Sequence, residues 1–204
     1  MSDSLGRRRL ARAAAKLAAK SRFEAPPLVL MTDDERLADP LAAARALPRG
    51  SMVVVRARDP QRRKTLAFAI TAIGRGRGLF VLIASDGKLA ASCGADGVHL
   101  AEASIGQAAR QRACHASFLI TASVHSLAAI GRAQGIDALF LSPVFPTASH
   151  PGRPALMPVR ANLIARVADV PVYALGGIDP QRAALLAPGP FAGIAAIGAL
   201  DVHV

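Results

Sequence analysis

A histidine between serines, two alternating arginines and a pair of glycines are the residues of this chain best suited to chemistry. His125 stands between Ser123 and Ser126. An imidazole titrates near neutrality, so it can both take and return a proton. Arg56 and Arg58 alternate, which in extended backbone puts both on one face, where two guanidiniums can meet an anion. Gly176-Gly177 runs into Asp179-Pro180, the signature of a helix start, and Gly198 follows another apolar run. Glycines at such turns let backbone amides approach a phosphate closely. The loop Pro146-Thr147-Ala148-Ser149-His150 offers further polar groups to a ligand, and the carboxylates Asp86 and Glu102 close two other segments. These residue types describe a site for an anionic small molecule with a proton-transfer group beside it. His99, inside an apolar run, reads instead as a packed, hydrogen-bonded core histidine. Cys93 and Cys114 read as small packing residues.

The elements that must bring these residues together are short and regular. Apolar runs at Leu28–Thr32, Met52–Val55, Leu79–Ala84, Gly97–Leu100, Phe118–Val124, Ala138–Val144, Val170–Leu175 and Gly193–Ile197 are nearly continuous rather than alternating. That is the pattern of strands buried on both faces. Between them, Pro60–Ile73, Ser104–Ala113, Ser126–Gln134, Val159–Val167 and Asp179–Leu186 have helix formers at 3.6 spacing, with Ser104, Ser126 and Asp179 as expected caps. Gly94-Ala95-Asp96-Gly97 recurs as Gly135-Ile136-Asp137-Ala138, and more loosely from Gly189. In each copy a glycine is expected to end a helix in the left-handed conformation just before a strand. Alternating elements with a repeat of paired units favour a (β/α)8 TIM barrel, an α/β fold of parallel strands. The first strand is not followed by Gly-x-Gly-x-x-Gly, which argues against a dinucleotide fold. Barrel chemistry collects at the C-terminal strand ends, and the residues named above fall there.

The chain has 204 residues, 52% of them hydrophobic, which excludes a disordered chain and fits one domain. No apolar run is long enough to span a membrane. Two cysteines are too few for a disulfide framework, and the expected compartment is the reducing cytoplasm. The net charge of +11 is uneven: residues 1–22 hold seven bases and one acid. Nucleic acid is not the expected partner, because the chain has no Trp and a single Tyr for base stacking. The arm reads as a basic helix with Leu5, Leu10, Ala13, Leu17 and Ala18 on one side. The sequence thus divides into an arm, residues 1–26, and a barrel, residues 27–204. No eighth helix is expected after the last strand, and the arm is long enough to cover its place.

Four motifs, Gly94–Leu100, Ser123-Val124-His125-Ser126-Leu127, Ser142-Pro143-Val144-Phe145-Pro146-Thr147 and Ala174-Leu175-Gly176-Gly177-Ile178, resemble the thiamine phosphate synthase family and its TenI branch, the thiazole tautomerases. The resemblance runs from about Leu28 to Leu200. It implies thiamine biosynthesis, with a thiazole phosphate held by backbone amides near Gly176 and Gly177 and at Ile197 and Gly198. It also implies that Arg56, Arg58, Ser123, Thr147, Ser149 and His150 contact substrate. The synthase branch joins a pyrimidine diphosphate to thiazole phosphate, expels pyrophosphate and needs magnesium. Its Asn-Asp after strand three and Asp after strand four are Ala84, Ser85 and Ser104 here, which leaves Asp86 and Glu102 as substitute metal ligands. The tautomerase branch needs a phosphate cradle and an acid/base, no cofactor, and His125 matches that histidine. The expectation leans to a TenI-like tautomerase, against a divergent magnesium-dependent synthase and a catalytically silent barrel that only binds a phosphorylated ligand. A phosphorylated small molecule is the expected partner, and a homodimer is left open.

Overall fold

All eight apolar runs form strands, and the strands close on themselves. The computed structural model describes residues 2–147, 154–187 and 189–202. Strands β1 (Leu28–Met31), β2 (Met52–Val55), β3 (Phe80–Ala84), β4 (Gly97–Leu100), β5 (Leu119–Val124), β6 (Ala138–Leu141), β7 (Val172–Ala174) and β8 (Gly193–Ala196) pair in parallel in that order. β8 returns to β1 through Leu28, Val29 and Leu30 against Ile194, Ala195 and Ala196, giving a TIM barrel. The sixth and seventh strands are shorter than the apolar runs, because Ser142–Val144 and Val170–Pro171 continue as loop.

The helices are α1 (Ser2–Ala18), α2 (Pro40–Ala46), α3 (Pro60–Arg77), α4 (Gly87–Cys93), α5 (Ala108–Cys114), α6 (Leu127–Gly131), α7 (Met157–Arg166) and α8 (Pro180–Ala184). Two of them, α2 and α4, were not among the expected helical stretches. Each is seven residues long, too short for a clear 3.6 period, but each carries a cap: Asp39 accepts from the Leu41 and Ala42 amides, and Asp86 from that of Leu89. Ser104 is no cap: it lies within a 3-10 stretch, Glu102–Gln107, that precedes α5. Ser126 and Asp179 cap as expected, accepting from the Ala129 and Arg182 amides.

The repeat has a mechanical meaning. Gly94 and Gly135 are left-handed, at φ of 67° and 72°. The Asp two residues on reaches back to an earlier strand: Asp96 accepts from the Val81 amide and Asp137 from that of Ile120, both at 2.7 Å. The third copy differs: Gly189 is not left-handed. It is small because a Cβ there would stand 2.3 Å from the Leu186 carbonyl.

Side chains pointing into the barrel, among them Val29, Met31, Val54, Leu82, Phe140, Tyr173 and Ala195, form one apolar cluster, and the faces turned to the helices form the larger one. Phe140 lies between His99, which it meets edge to face, and Tyr173, which it meets tilted, at 4.8 and 4.9 Å between ring centres. Helix α1 buries Leu10, Ala14 and Leu17 and lies against α8, β8 and β1. The buried seam is rotated from the expected one, and Leu5 is exposed. Cys93 is buried beside Thr71, whereas Cys114 is exposed on α5 and is no packing residue. Among the described residues, a single 3-10 turn, Gly198–Leu200, follows β8. No helix is long and apolar enough to cross a membrane.

Candidate functional site

The loops after β7 and β8 meet over the C-terminal mouth of the barrel and enclose a cavity of about 400 Å³, within the range of small-ligand sites. Gly176, Gly177 and Ile178 line it from one side, Ile197, Gly198 and Ala199 from the other. Gly176 and Gly177 sit at φ of 97° and 63°, so only glycine fits this turn without strain. Among the described residues, no acceptor takes the N–H groups of Gly177, Ile178 or Gly198. Amides left open at a cavity wall, just ahead of a helix, are what a phosphate group requires. Arg182, in the first turn of α8, donates from Nη1 to the Gly177 carbonyl at 2.8 Å and lies over the Phe145 ring, so it braces the turn while itself lining the cavity.

The loop after β1 supplies two further residues, Asp33 and Arg36. Asp33 accepts from Nη2 of both Arg36 and Arg56 at 2.6 Å, and Arg36 and Arg56 both line the cavity. Burial works against the Asp33 charge, but hydrogen bonds from Arg36, the Glu35 amide and Arg56 outweigh it and hold the carboxyl well below the usual range. The signal was present: Thr32-Asp33-Asp34-Glu35-Arg36 is five polar residues in a row at the end of an apolar run. Arg58 corrects the expectation. Its side chain is 85% exposed, pairs with Glu35 at 2.8 Å and does not line the cavity. The alternation argument fails because β2 ends at Val55, before either arginine.

His125 follows β5. Its backbone N–H donates to Glu102 at 2.7 Å, and its Nδ1 lies 2.6 Å from the Ser142 carbonyl oxygen. A carbonyl only accepts, so Nδ1 carries the proton and Nε2 is the basic nitrogen of the neutral ring. Ser142 lines the cavity between the β7 and β8 loops; His125 does not, and lines a different groove with Glu102 and Arg132. Thr147 lines the cavity, while Ser149 and His150 lie outside the described residues. Ser123 is turned to His99, its hydroxyl 2.9 Å from Nε2, and is not part of the cavity wall.

The metal expectation can be tested on the donors themselves. Asp86 uses an oxygen to cap α4, and both Glu102 oxygens are engaged, one by the His125 amide and one by Arg132 at 3.5 Å. Among the described residues, no three His, Cys, Asp or Glu side chains gather at one point. Magnesium is commonly held by one or two carboxylates with substrate phosphates, and here the Asp86 and Glu102 oxygens are partly committed within the protein.

His99 is buried, bonded through Nδ1 to Thr121 at 2.8 Å and through Nε2 to Ser123. Burial, with the nearby Arg56 charge, pushes its pKa down to about 3. The unfolded chain, with a histidine near the usual 6.5, binds this proton first. The contribution of the neutral ring is thus complete above pH 6.5 and is lost as pH falls towards 3. Between pH 6.5 and 4 it amounts to about 3 kcal/mol. In urea titrations across that range, His99→Gln is expected to flatten the loss of stability; equal slopes in both proteins would refute it.

Residues 28–200 match the family model described as thiamine monophosphate synthase. The thiamine-phosphate synthase of Thermus thermophilus is 36% identical over 141 residues, 66% of this chain and 68% of that protein. That of Bordetella bronchiseptica is 32% identical over 168 residues, 76% of each. Among solved structures, a thiamine phosphate pyrophosphorylase from Pyrococcus furiosus superposes with a TM-score of 0.67 at 22% identity, over 90% of this chain and 87% of that one.

Proposed function

The chain is an enzyme of the thiamine monophosphate synthase family, and we propose that it binds a thiazole phosphate and moves a proton on it, as a TenI-like tautomerase. The phosphate sits on the amides of Gly177, Ile178 and Gly198. His125 takes a proton from the non-aromatic ring system through Nε2 and returns one at the other end of the conjugated bonds. The product is an isomer; nothing is oxidised, no group leaves and no cofactor is consumed. In this reading residues 27–204 are the catalytic unit and residues 1–26 a covering arm.

The observation that carries the proposal is the fixed tautomer of His125, whose Nδ1 lies 2.6 Å from the Ser142 carbonyl. Held this way, the ring presents Nε2 as a base without a metal. The names of the relatives favour a second reading, in which the chain forms thiamine phosphate from two substrates. Arg56, which lines the cavity, would face the diphosphate in that case. An assay separates the two. Aromatisation of a thiazole carboxylate phosphate tautomer, undiminished by a chelator, is the expected result. Formation of thiamine phosphate from both substrates, abolished by the chelator, with no aromatisation, would overturn it.

A further inference from the structure

Arg36 and Arg56 come from different loops, after β1 and after β2, yet both place Nη2 2.6 Å from the same oxygen of Asp33. Asp33 is held in place: the Glu35 and Arg36 amides donate to its Oδ1, as does Arg36 Nε. Arg36 is therefore gripped by a two-pronged bond and cannot swing freely, and its side chain is 31% exposed against 13% for Asp33. The carbonyl of Arg36 lies 3.6 Å from where a Cβ on Gly198 would stand, so the residue abuts the open amides of the β8 loop.

Asp33 is mostly buried and its Oδ1 ties down the loop through the Glu35 and Arg36 amides, but that structural role does not call for a second arginine on Oδ2. Two guanidiniums share one carboxylate, so the three side chains together carry one net positive charge, and both arginines line the cavity. Arg182 is offset by Asp179, 3.6 Å away, and adds no net charge to the wall. A bound anion would offset the net positive charge of Arg36, Asp33 and Arg56.

We propose that the Arg36–Asp33–Arg56 triad is the charged half of the anion site: Arg36 contacts the bound phosphate monoester directly, and Asp33 is the positioning residue that holds both guanidiniums against the amide cradle. The proposal rests on the reading of the cavity as a phosphate site, and it does not depend on which reaction follows. The amides recognise the shape of a phosphate; the triad selects its charge and so excludes the corresponding alcohol.

The test is calorimetric titration of the full-length protein with inorganic phosphate, alongside thermal melting without ligand. Arg36→Ala is expected to weaken phosphate binding about 10- to 100-fold, the range of one charge-assisted hydrogen bond. Arg36→Lys, which keeps the charge and loses the fork, falls between the two and serves should the alanine variant fail to fold. Asp33→Asn keeps the Oδ1 acceptor of the turn and adds one net positive charge, yet is expected to weaken binding because the clamp is gone. Phosphate affinity within twofold of the parent in Arg36→Ala and Arg36→Lys, or tighter binding by Asp33→Asn, would overturn the proposal. A protein that binds phosphate in this triad-dependent way but turns over no thiazole would sink the tautomerase reading alone.

Discussion

Replacing His125 by alanine is expected to slow aromatisation of the thiazole tautomer by about 10²- to 10⁴-fold, the usual worth of a positioned acid/base. Phosphate affinity is expected to stay within about twofold, because the ring is not part of the wall that receives the phosphate. The split follows from the local structure. The backbone N–H of residue 125 remains available to Glu102, so the β5 loop keeps its anchor. What disappears is a nitrogen base with its tautomer set by Ser142. Single-turnover rates beside phosphate titrations measure the two quantities separately. A rate loss below about threefold, or a matching loss of phosphate affinity, would mean that the imidazole supports the loop and transfers no proton.

Gly177→Ala is expected to weaken phosphate binding by about 10-fold or more and to lower stability by about 1–3 kcal/mol. A Cβ at this position would stand 2.4 Å from the Pro146 carbonyl oxygen and 3.0 Å from the Phe145 carbonyl oxygen and Cβ. Two of these obstacles are backbone, so no side-chain rotation relieves them. The turn must move away from the β6 loop, and its amides move with it. The left-handed φ of 63° adds a further cost for any L side chain. Gly76→Ala provides the contrast. That glycine lies in α3 with nothing within 4 Å of a Cβ, and alanine there is expected to stabilise the helix by up to about 1 kcal/mol without touching ligand binding. Denaturant melts and phosphate titrations of the two variants check both outcomes. Parent-like binding by Gly177→Ala would show that the turn is only a connection.

The barrel was legible because its strands are buried on both faces, and continuous Val, Leu, Ile and Ala runs have few other uses. Most helices were legible from period and cap, while α2 and α4, seven residues each, escaped although Asp39-Pro40 and Asp86 carry the cap signal. The glycines of the β7 and β8 loops could be read from their place after apolar runs. The cationic part of the site could not be read so well, since a sequence does not state which arginine an acid will grip. Arg56 and Arg58 looked equivalent, but Asp33 gathers the first into the cavity wall and Glu35 holds the second at the surface. Arg36 was hard to read because it follows Asp33-Asp34-Glu35, where a lone base looks like part of a solvated acidic turn, although it lies at the same end of the barrel as the others. Asp86 looked like a metal ligand by position and serves as a helix cap, a role that its place ahead of α4 would have suggested had α4 been expected.

Deuterium uptake during turnover tests the proton-transfer reading most directly. With thiazole carboxylate phosphate tautomer, chelator and D2O, the product is expected to gain deuterium at the carbon that is protonated, at a rate that collapses in His125→Ala. A product that forms without taking up solvent label, or that forms equally fast without the imidazole, would contradict the account.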